Sequence, residues 1–171
     1  MKEKKFARET FASSSKIVLP NDTNTLGNLM GGQLLNWMDI NAAISAQRHS
    51  RRVVVTASVN NVAFKRAIKL GDVVTIESKV SRAFSSAMEV FLDVYTENHR
   101  TGKRMKCNEA IYTFVAVDQV GSPIRIPELV PETAEEKERY DGALRRRQLA
   151  LILSGKMKPA EATELKALFQ M

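Results

Sequence analysis

Residues 31–50 read GGQLLNWMDINAAISAQRHS, with Asp39 the sole charged residue before Arg48. Met30, Leu34, Met38 and Ala42 recur at i, i+4. Leu35, Ala43 and Ala46 line an adjacent stripe, and Trp37, Ile40 and Ile44 a third. The spacing predicts a helix over roughly residues 32–49. A helix apolar on most of its circumference is a buried one. The lone carboxylate of Asp39, with Leu35 and Ala43 one turn away on either side, is then costly unless something uses or satisfies it.

Downstream of this helix the period changes from 3.6 to 2. Residues 53–64 alternate through Val55, Ala57 and Val59, and residues 73–82 through Val74, Ile76, Ser78 and Val80. Residues 88–97 alternate through Met88, Val90, Leu92 and Val94. Residues 103–117 run through Met105, Cys107, Ile111, Thr113, Val115 and Val117. Leu70-Gly71-Asp72 and residues 98–102 are turn chemistry. Four long strands after one buried helix indicate an α+β fold, an antiparallel sheet with the helix packed on it. Pro123, Pro127 and Pro131 mark an extended connector. Residues 132–151 predict a surface helix, acidic at its start and ending on Arg145-Arg146-Arg147 as the helix dipole prefers. Residues 154–171 are expected to form a short terminal helix or to fray. Upstream, residues 1–16 are polar, with Ser13, Ser14 and Ser15 in a row. They predict a loose start, with a short strand near residues 17–19.

Composition narrows the functional classes. The chain has 171 residues, 44% of them hydrophobic, which is one domain with a real core. No apolar run approaches the length of a membrane span, and the charged start MKEKKFARET lacks a signal peptide's apolar region. A single cysteine excludes an intramolecular disulfide framework, so a cytoplasmic setting is expected. The net charge of +7 is spread along the chain, and aromatics are only 6%. That pattern argues against a nucleic-acid-binding surface, and neither nucleic acid nor membrane is expected as a partner.

The candidate chemistry is sparse. A generic buried acid most often pairs with an arginine or a polar pocket. The other reading of Asp39 is a general base or nucleophile made more basic by Leu35, Trp37, Met38 and Ile40 around it. Asn24 on its own is a turn residue whose amide is also able to orient a water or polarise a carbonyl. Gly31 and Gly32 open the helix, where backbone N–H groups lack intrahelical partners; without side chains in the way these can meet a ligand oxygen. His49 and His99 have no metal-ligand spacing, so no metal site is expected. No serine sits in a G-x-S-x-G setting, and mid-strand Cys107 is a core residue. Lys65-Arg66 and Arg145–Arg147 are either solvated faces or phosphate contacts.

The segment Asn21-Asp22-Thr23-Asn24-x-x-Gly27-x-x-x-Gly31-Gly32-x-x-Leu35-x-x-Met38-Asp39 resembles the signature of the small hotdog-fold acyl-CoA thioesterases, bacterial relatives of brain acyl-CoA hydrolase. The resemblance continues through residues 53–58, Val62-x-Phe64, Gly71-Asp72-x-Val74, Ser85-x-x-x-Glu89-Val90 and Ala110-x-x-Thr113-Phe114-Val115-Ala116-Val117-Asp118. It spans roughly residues 15–147. It implies a hotdog domain over residues 1–130, a sheet wrapped around one apolar helix, followed by a C-terminal helical extension over 131–171. It implies dimers with a continuous sheet, commonly three to a hexamer, and a site between subunits. Asn24 of one subunit and Asp39 of the partner would face the thioester, with Asp39 activating water or attacking directly. The Gly32 N–H, with Gly31, would hold the oxyanion. The pantetheine arm would run beside Val62 and Phe64. Lys65, Arg66, Arg82, Ser85 and Ser86 would meet the nucleotide phosphates. Where relatives often read Arg-Thr-Ser, this chain has Arg82-Ala83-Phe84-Ser85-Ser86. No cofactor is expected, CoA entering as part of the substrate. A thioester suits this equipment, since its carbonyl is electrophilic and its thiolate leaves readily. The reading from another class is a non-catalytic acyl-CoA-binding module. A hotdog dehydratase would want a histidine near the helix start, whereas His49 stands at the far end.

Overall fold

The computed structural model describes residues 3–60, 62, 64 and 66–169. The long helix α1 spans Gly31–Ser50. It is followed by β3 (Val53–Asn60), β4 (Val73–Ala83), β5 (Ala87–Glu97) and β6 (Arg104–Val117). With β2 (Ala12–Ile17) these strands form one antiparallel sheet in the order β2-β4-β5-β6-β3. The sheet curls around α1, which touches all five strands.

The stripe Leu34, Met38, Ala42 and Ala46 is buried, as its spacing requires. It meets Val74, Ile76 and Val80 of β4, Met88, Val90, Leu92 and Val94 of β5, and Tyr112, Phe114 and Ala116 of β6. Full burial of each larger side chain contributes about 1.5–3 kcal/mol. One polar seam crosses this core. Asn41 Nδ2 donates to Ser78 Oγ at 2.8 Å, and Ser45 Oγ lies 2.7 Å from the same hydroxyl. All three residues are buried. Asn41 Oδ1 has no partner among the described residues, but the hydrogen bonds the seam does make fix how the helix sits on the strand, because a slip would break them.

The start of the chain is ordered, not loose. Strand β1 (Lys4–Phe6) pairs in parallel with β7 (Glu128–Val130), a strand inside the proline-marked connector. The triple serine belongs to β2, which lies earlier than the strand expected near residues 17–19. As an edge strand, β2 exposes most of its side chains, so it carries no apolar alternation to read. Its pairing with β4 comes from the backbone, helped by Ser15 Oγ lying 2.8 Å from Thr75 Oγ1. The strand expected over residues 53–64 stops at Asn60, and Lys65 lies outside the described residues.

The helix α2 (Ala134–Leu153) begins two residues later than expected, behind a capping box in which Glu136 N donates to Thr133 Oγ1 and Thr133 N to Glu136 Oε2. It lies on the outer face of the sheet, held by ion pairs. Arg146 donates twice to buried Glu89, at 2.9 and 2.7 Å, and Arg139 reaches Asp93 at 2.9 Å. The short helix α3 (Thr163–Ala167) is tied to it by Leu165 N donating to Gln148 Oε1. No helix among the described residues is long and apolar enough to cross a membrane.

His49, on the last turn of α1, is fully buried. Its Nε2 lies 2.9 Å from the Pro127 carbonyl oxygen, and Nδ1 has no partner. Burial pushes its pKa below 6.5, Lys5 adds to this, and Glu9 and Glu3 act the other way. The folded state therefore resists a proton that the unfolded chain accepts. Stability is full above about pH 6.5 and falls as the pH drops below it, by up to about 1.4 kcal/mol per pH unit. Urea midpoints at pH 5.5 and 7.5 should differ less for His49→Gln than for the parent; equal differences would remove His49 from the acid sensitivity.

Candidate active site

One flank of α1 is not covered by its own sheet. Ile40 and Ile44, expected to be buried with the rest of the helix, are 52% and 38% exposed. Beside them stands β3, the last strand of the sheet, with Val53, Val55 and Val59 exposed as well. Asp39 lies on this flank, half-buried. Thr56 Oγ1 donates to its Oδ1 at 2.8 Å. A register shift in the β3–β6 ladder falls between Thr56 and Ser58, and such bulges re-aim side chains near functional sites. Beneath, the buried Tyr112 of β6 donates to the Leu35 carbonyl oxygen at 3.1 Å, one turn before Asp39. Burial, with the Asp39 carboxylate nearby, pushes the Tyr112 hydroxyl up to about 12.

The loop before α1 is built from its own side chains. Asp22 accepts from Leu19 N and Gln33 Nε2, both at 2.9 Å. Asn24 Oδ1 accepts from Leu26 N at 2.9 Å and Asn28 N at 3.1 Å. Gly27 completes the turn at φ +69°, a conformation that favours glycine. The amide of Asn24 is thereby oriented. Its oxygen is spent on two backbone N–H groups, while Nδ2 has no partner among the described residues and the residue is exposed. The turn role and the chemical role of Asn24 are thus compatible, one for each end of the amide.

Helix α1 starts at Gly31, and the preceding Met30 supplies no side-chain cap. The Phe64 ring lies against Gly31, where an added Cβ would stand 3.1 Å from it, while the space beside Gly32 is open. The helix N-terminus therefore presents amide hydrogens to an uncrowded surface. No hydrogen bond joins Asn24 to Asp39 within the chain, among the described residues.

The expected phosphate contacts do not gather within one chain. Arg66 Nη1 reaches Met105 Sδ at 3.6 Å. Ser86 O accepts from Ala116 N, eleven residues further along β6. At about 3.3 Å per residue these points are roughly 35 Å apart. Arg82, Ser85 and Ser86 cluster at the β4–β5 hairpin. Cys107 is buried, and burial pushes its thiol up to about 11, which leaves it a core residue. Sequence reasoning missed Thr56 as a site residue. The signal available was a hydroxyl on the strand face opposite Val55 and Val59.

A curled antiparallel sheet wrapped around one helix defines the hotdog class. The model of the thioesterase superfamily matches residues 26–103. The chain is 41% identical to the Bacillus subtilis acyl-CoA thioester hydrolase YkhA, itself uncharacterised, over 84% of each chain. It is 38% identical to mouse acyl-coenzyme A thioesterase 11, of which it spans only 26% while 90% of its own length is covered. It superimposes on the acyl-CoA hydrolase of Staphylococcus aureus, solved with butyryl-CoA, CoA and CoA disulfide, with TM-score 0.82, 33% identity and 98% and 99% coverage. That hydrolase has also been solved with an aspartate, an asparagine and a threonine each replaced by alanine. A hexameric acyl-CoA thioesterase is similar too, with TM-score 0.82, 36% identity, and 85% of this chain and 93% of that one covered. The chain belongs to the hotdog-fold acyl-CoA thioesterases.

Proposed function

We propose that the chain hydrolyses acyl-CoA thioesters to a carboxylic acid and CoA, at a site completed by a second copy. The observation that carries this is the Asp39 carboxylate, held by Thr56 on the open flank of α1. Thr56 occupies Oδ1, which leaves Oδ2 for a water. Water attacks the thioester carbonyl carbon and its proton passes to Asp39. The oxyanion that forms takes hydrogen bonds from the Gly32 N–H, with Gly31 adjoining, and from the Nδ2 of Asn24. Collapse breaks the carbon–sulfur bond, and the CoA thiolate leaves, recovering the proton from Asp39. Direct attack by Asp39, through an acyl-aspartate, is the alternative route. The three residues replaced in the Staphylococcus hydrolase follow the same spacing along their chain as Asn24, Asp39 and Thr56.

The second copy follows from the uncovered face. Among the described residues β3 ends the sheet with a free backbone edge, and Ile40, Ile44, Val53, Val55 and Val59 stand exposed around it. Antiparallel pairing of β3 with its symmetry mate closes that edge and buries those side chains. It also sets the Val62–Phe64 end of one chain beside the Val53 end of the other. In each chain Val53 pairs with Val117, and Val115 with Ala87, so the β4–β5 hairpin lies at that same end. The pantetheine arm then passes Gly31, Val62 and Phe64 of one subunit and points to Arg82, Ser85 and Ser86 of the other. Arg66 flanks it from the first. The separation of these cations within one chain disappears in the pair. Assembly of three pairs into a hexamer is the further expectation from the hexameric relative.

Thiol release from acetyl-CoA through palmitoyl-CoA tests the activity; binding without release would leave an acyl-CoA-binding module. Thr56→Val keeps the side-chain shape and removes the donor to Asp39. It should lower kcat by about 10–100-fold with little change in KM, the worth of a hydrogen bond to a charged group, and Thr56→Ser should recover most of it. An unchanged kcat in Thr56→Val would separate Thr56 from the chemistry.

A further inference from the structure

Two carbonyls in the body of α1 take a hydrogen bond from the sheet in addition to their helical one. Ser78 Oγ of β4 donates to the Asn41 carbonyl oxygen at 3.2 Å, and the Tyr112 hydroxyl of β6 donates to that of Leu35 at 3.1 Å. Asp39 lies between them, two residues before the one and four after the other. In an α-helix the Leu35 carbonyl also accepts the N–H of Asp39. A carbonyl oxygen has two lone pairs, so it serves both donors. The main chain of Asp39 is thus one shared acceptor away from β6.

The side chain of Asp39 reaches the same strand by a second route. Thr56, which donates to Asp39 Oδ1 at 2.8 Å, pairs across the β3–β6 ladder with Phe114. The Phe114 ring stacks on that of Tyr112, with centroids 6.3 Å apart and planes 17° from parallel. Both rings are fully buried. One packed pair of rings therefore underlies both supports of Asp39.

The Tyr112 hydroxyl is not there to fill space. A phenylalanine would occupy the same volume, and a buried hydroxyl brings a desolvation cost that its hydrogen bond only offsets. The helix does not need it either, since the Leu35 carbonyl already has its helical donor. What the bond adds is a fixed depth and rotation of the turn 35–39 on the sheet. That turn carries the sole acid of α1 on a flank that the chain's own sheet leaves open. Burial, with the Asp39 carboxylate nearby, pushes the phenol up to about 12, so it remains a donor throughout the neutral range.

We propose that Tyr112 is a positioning residue for thioester hydrolysis, its hydroxyl setting through the Leu35 carbonyl where the Asp39 carboxylate stands. This rests on the function proposed above. Tyr112 touches no reacting atom and acts through Asp39. A general base works only within hydrogen-bond reach of the proton it takes, and a misplacement of about 1 Å costs up to about 10²-fold.

The test is steady-state thiol release by Tyr112→Phe, by Thr56→Val and by the protein carrying both. Tyr112→Phe should lower kcat by about 3–10-fold and leave KM within about twofold, with the thermal midpoint moved by only a few degrees. Because both groups hold one carboxylate, the two losses in kcat should depart from a simple product by about threefold or more. Unchanged kcat in Tyr112→Phe, a loss that falls on KM, or losses that merely multiply would overturn the proposal. So would failure of Tyr112→Phe to fold, which would make the hydroxyl a requirement of the core. Hydrogen exchange read by mass spectrometry needs no turnover and keeps this claim apart from the activity itself. Peptides covering residues 35–39 should exchange about 3–10-fold faster in Tyr112→Phe than in the parent, and equal exchange would overturn the positioning even in an active protein. A parent that releases no thiol would overturn the function proposed above, whatever the exchange shows.

Discussion

Asp39→Asn should lower kcat by about 10²–10⁴-fold in thiol release, the range expected when a general base is lost. The substitution keeps size and shape. Its amide still has an oxygen to accept from Thr56 Oγ1, so the local geometry persists. What disappears is the group that takes a proton from water or attacks carbon. The residue is half-buried on the helix flank and no part of the buried stripe Leu34, Met38, Ala42 and Ala46. The thermal midpoint should therefore stay within a few degrees of the parent. Near-parental turnover in Asp39→Asn would remove Asp39 as the base.

Asn24→Asp should lose about 10²–10³-fold, the worth of one oxyanion donor, without unfolding the loop. The carboxylate retains an oxygen for the N–H groups of Leu26 and Asn28, which hold the turn. It replaces the free Nδ2 donor by an acceptor that repels a developing negative charge. Asn24→Ala loses both ends of the amide and should add a stability cost to a similar kinetic one. If Asn24→Asp keeps full activity while Asn24→Ala loses it, the asparagine serves only the turn.

How legible this was differs from element to element. The core stripe of α1 and the four strands after it are plain in the periodicity, because burial on one face imposes a period that composition records. Ile40 and Ile44 read as one more buried stripe, yet they are exposed in the single chain. Periodicity marks an apolar face without saying whether the chain itself or another copy covers it. β1 and β2 were hidden for the opposite reason, since edge and two-strand pairings rest on backbone hydrogen bonds that polar side chains neither require nor reveal. Asn24 was legible only through its resemblance to a family signature; that its Oδ1 is spent on the Leu26 and Asn28 N–H groups needed coordinates. Thr56 escaped because a threonine in a strand is ordinary. Only its placement one hydrogen bond from Asp39 sets it apart. Arg147 looked like the basic end of a surface helix, and its place over the Phe84 ring is a fact of the tertiary structure.

The central claim, an acid and an amide supplied by different subunits, is tested most directly by mixing. Asn24→Ala and Asp39→Ala proteins, each nearly inactive, are combined under conditions where labelled subunits are seen to exchange. A site shared across the pair leaves one intact site in every mixed dimer, and random exchange should restore roughly a quarter of parental thiol release. Complete exchange with no recovered activity would contradict it.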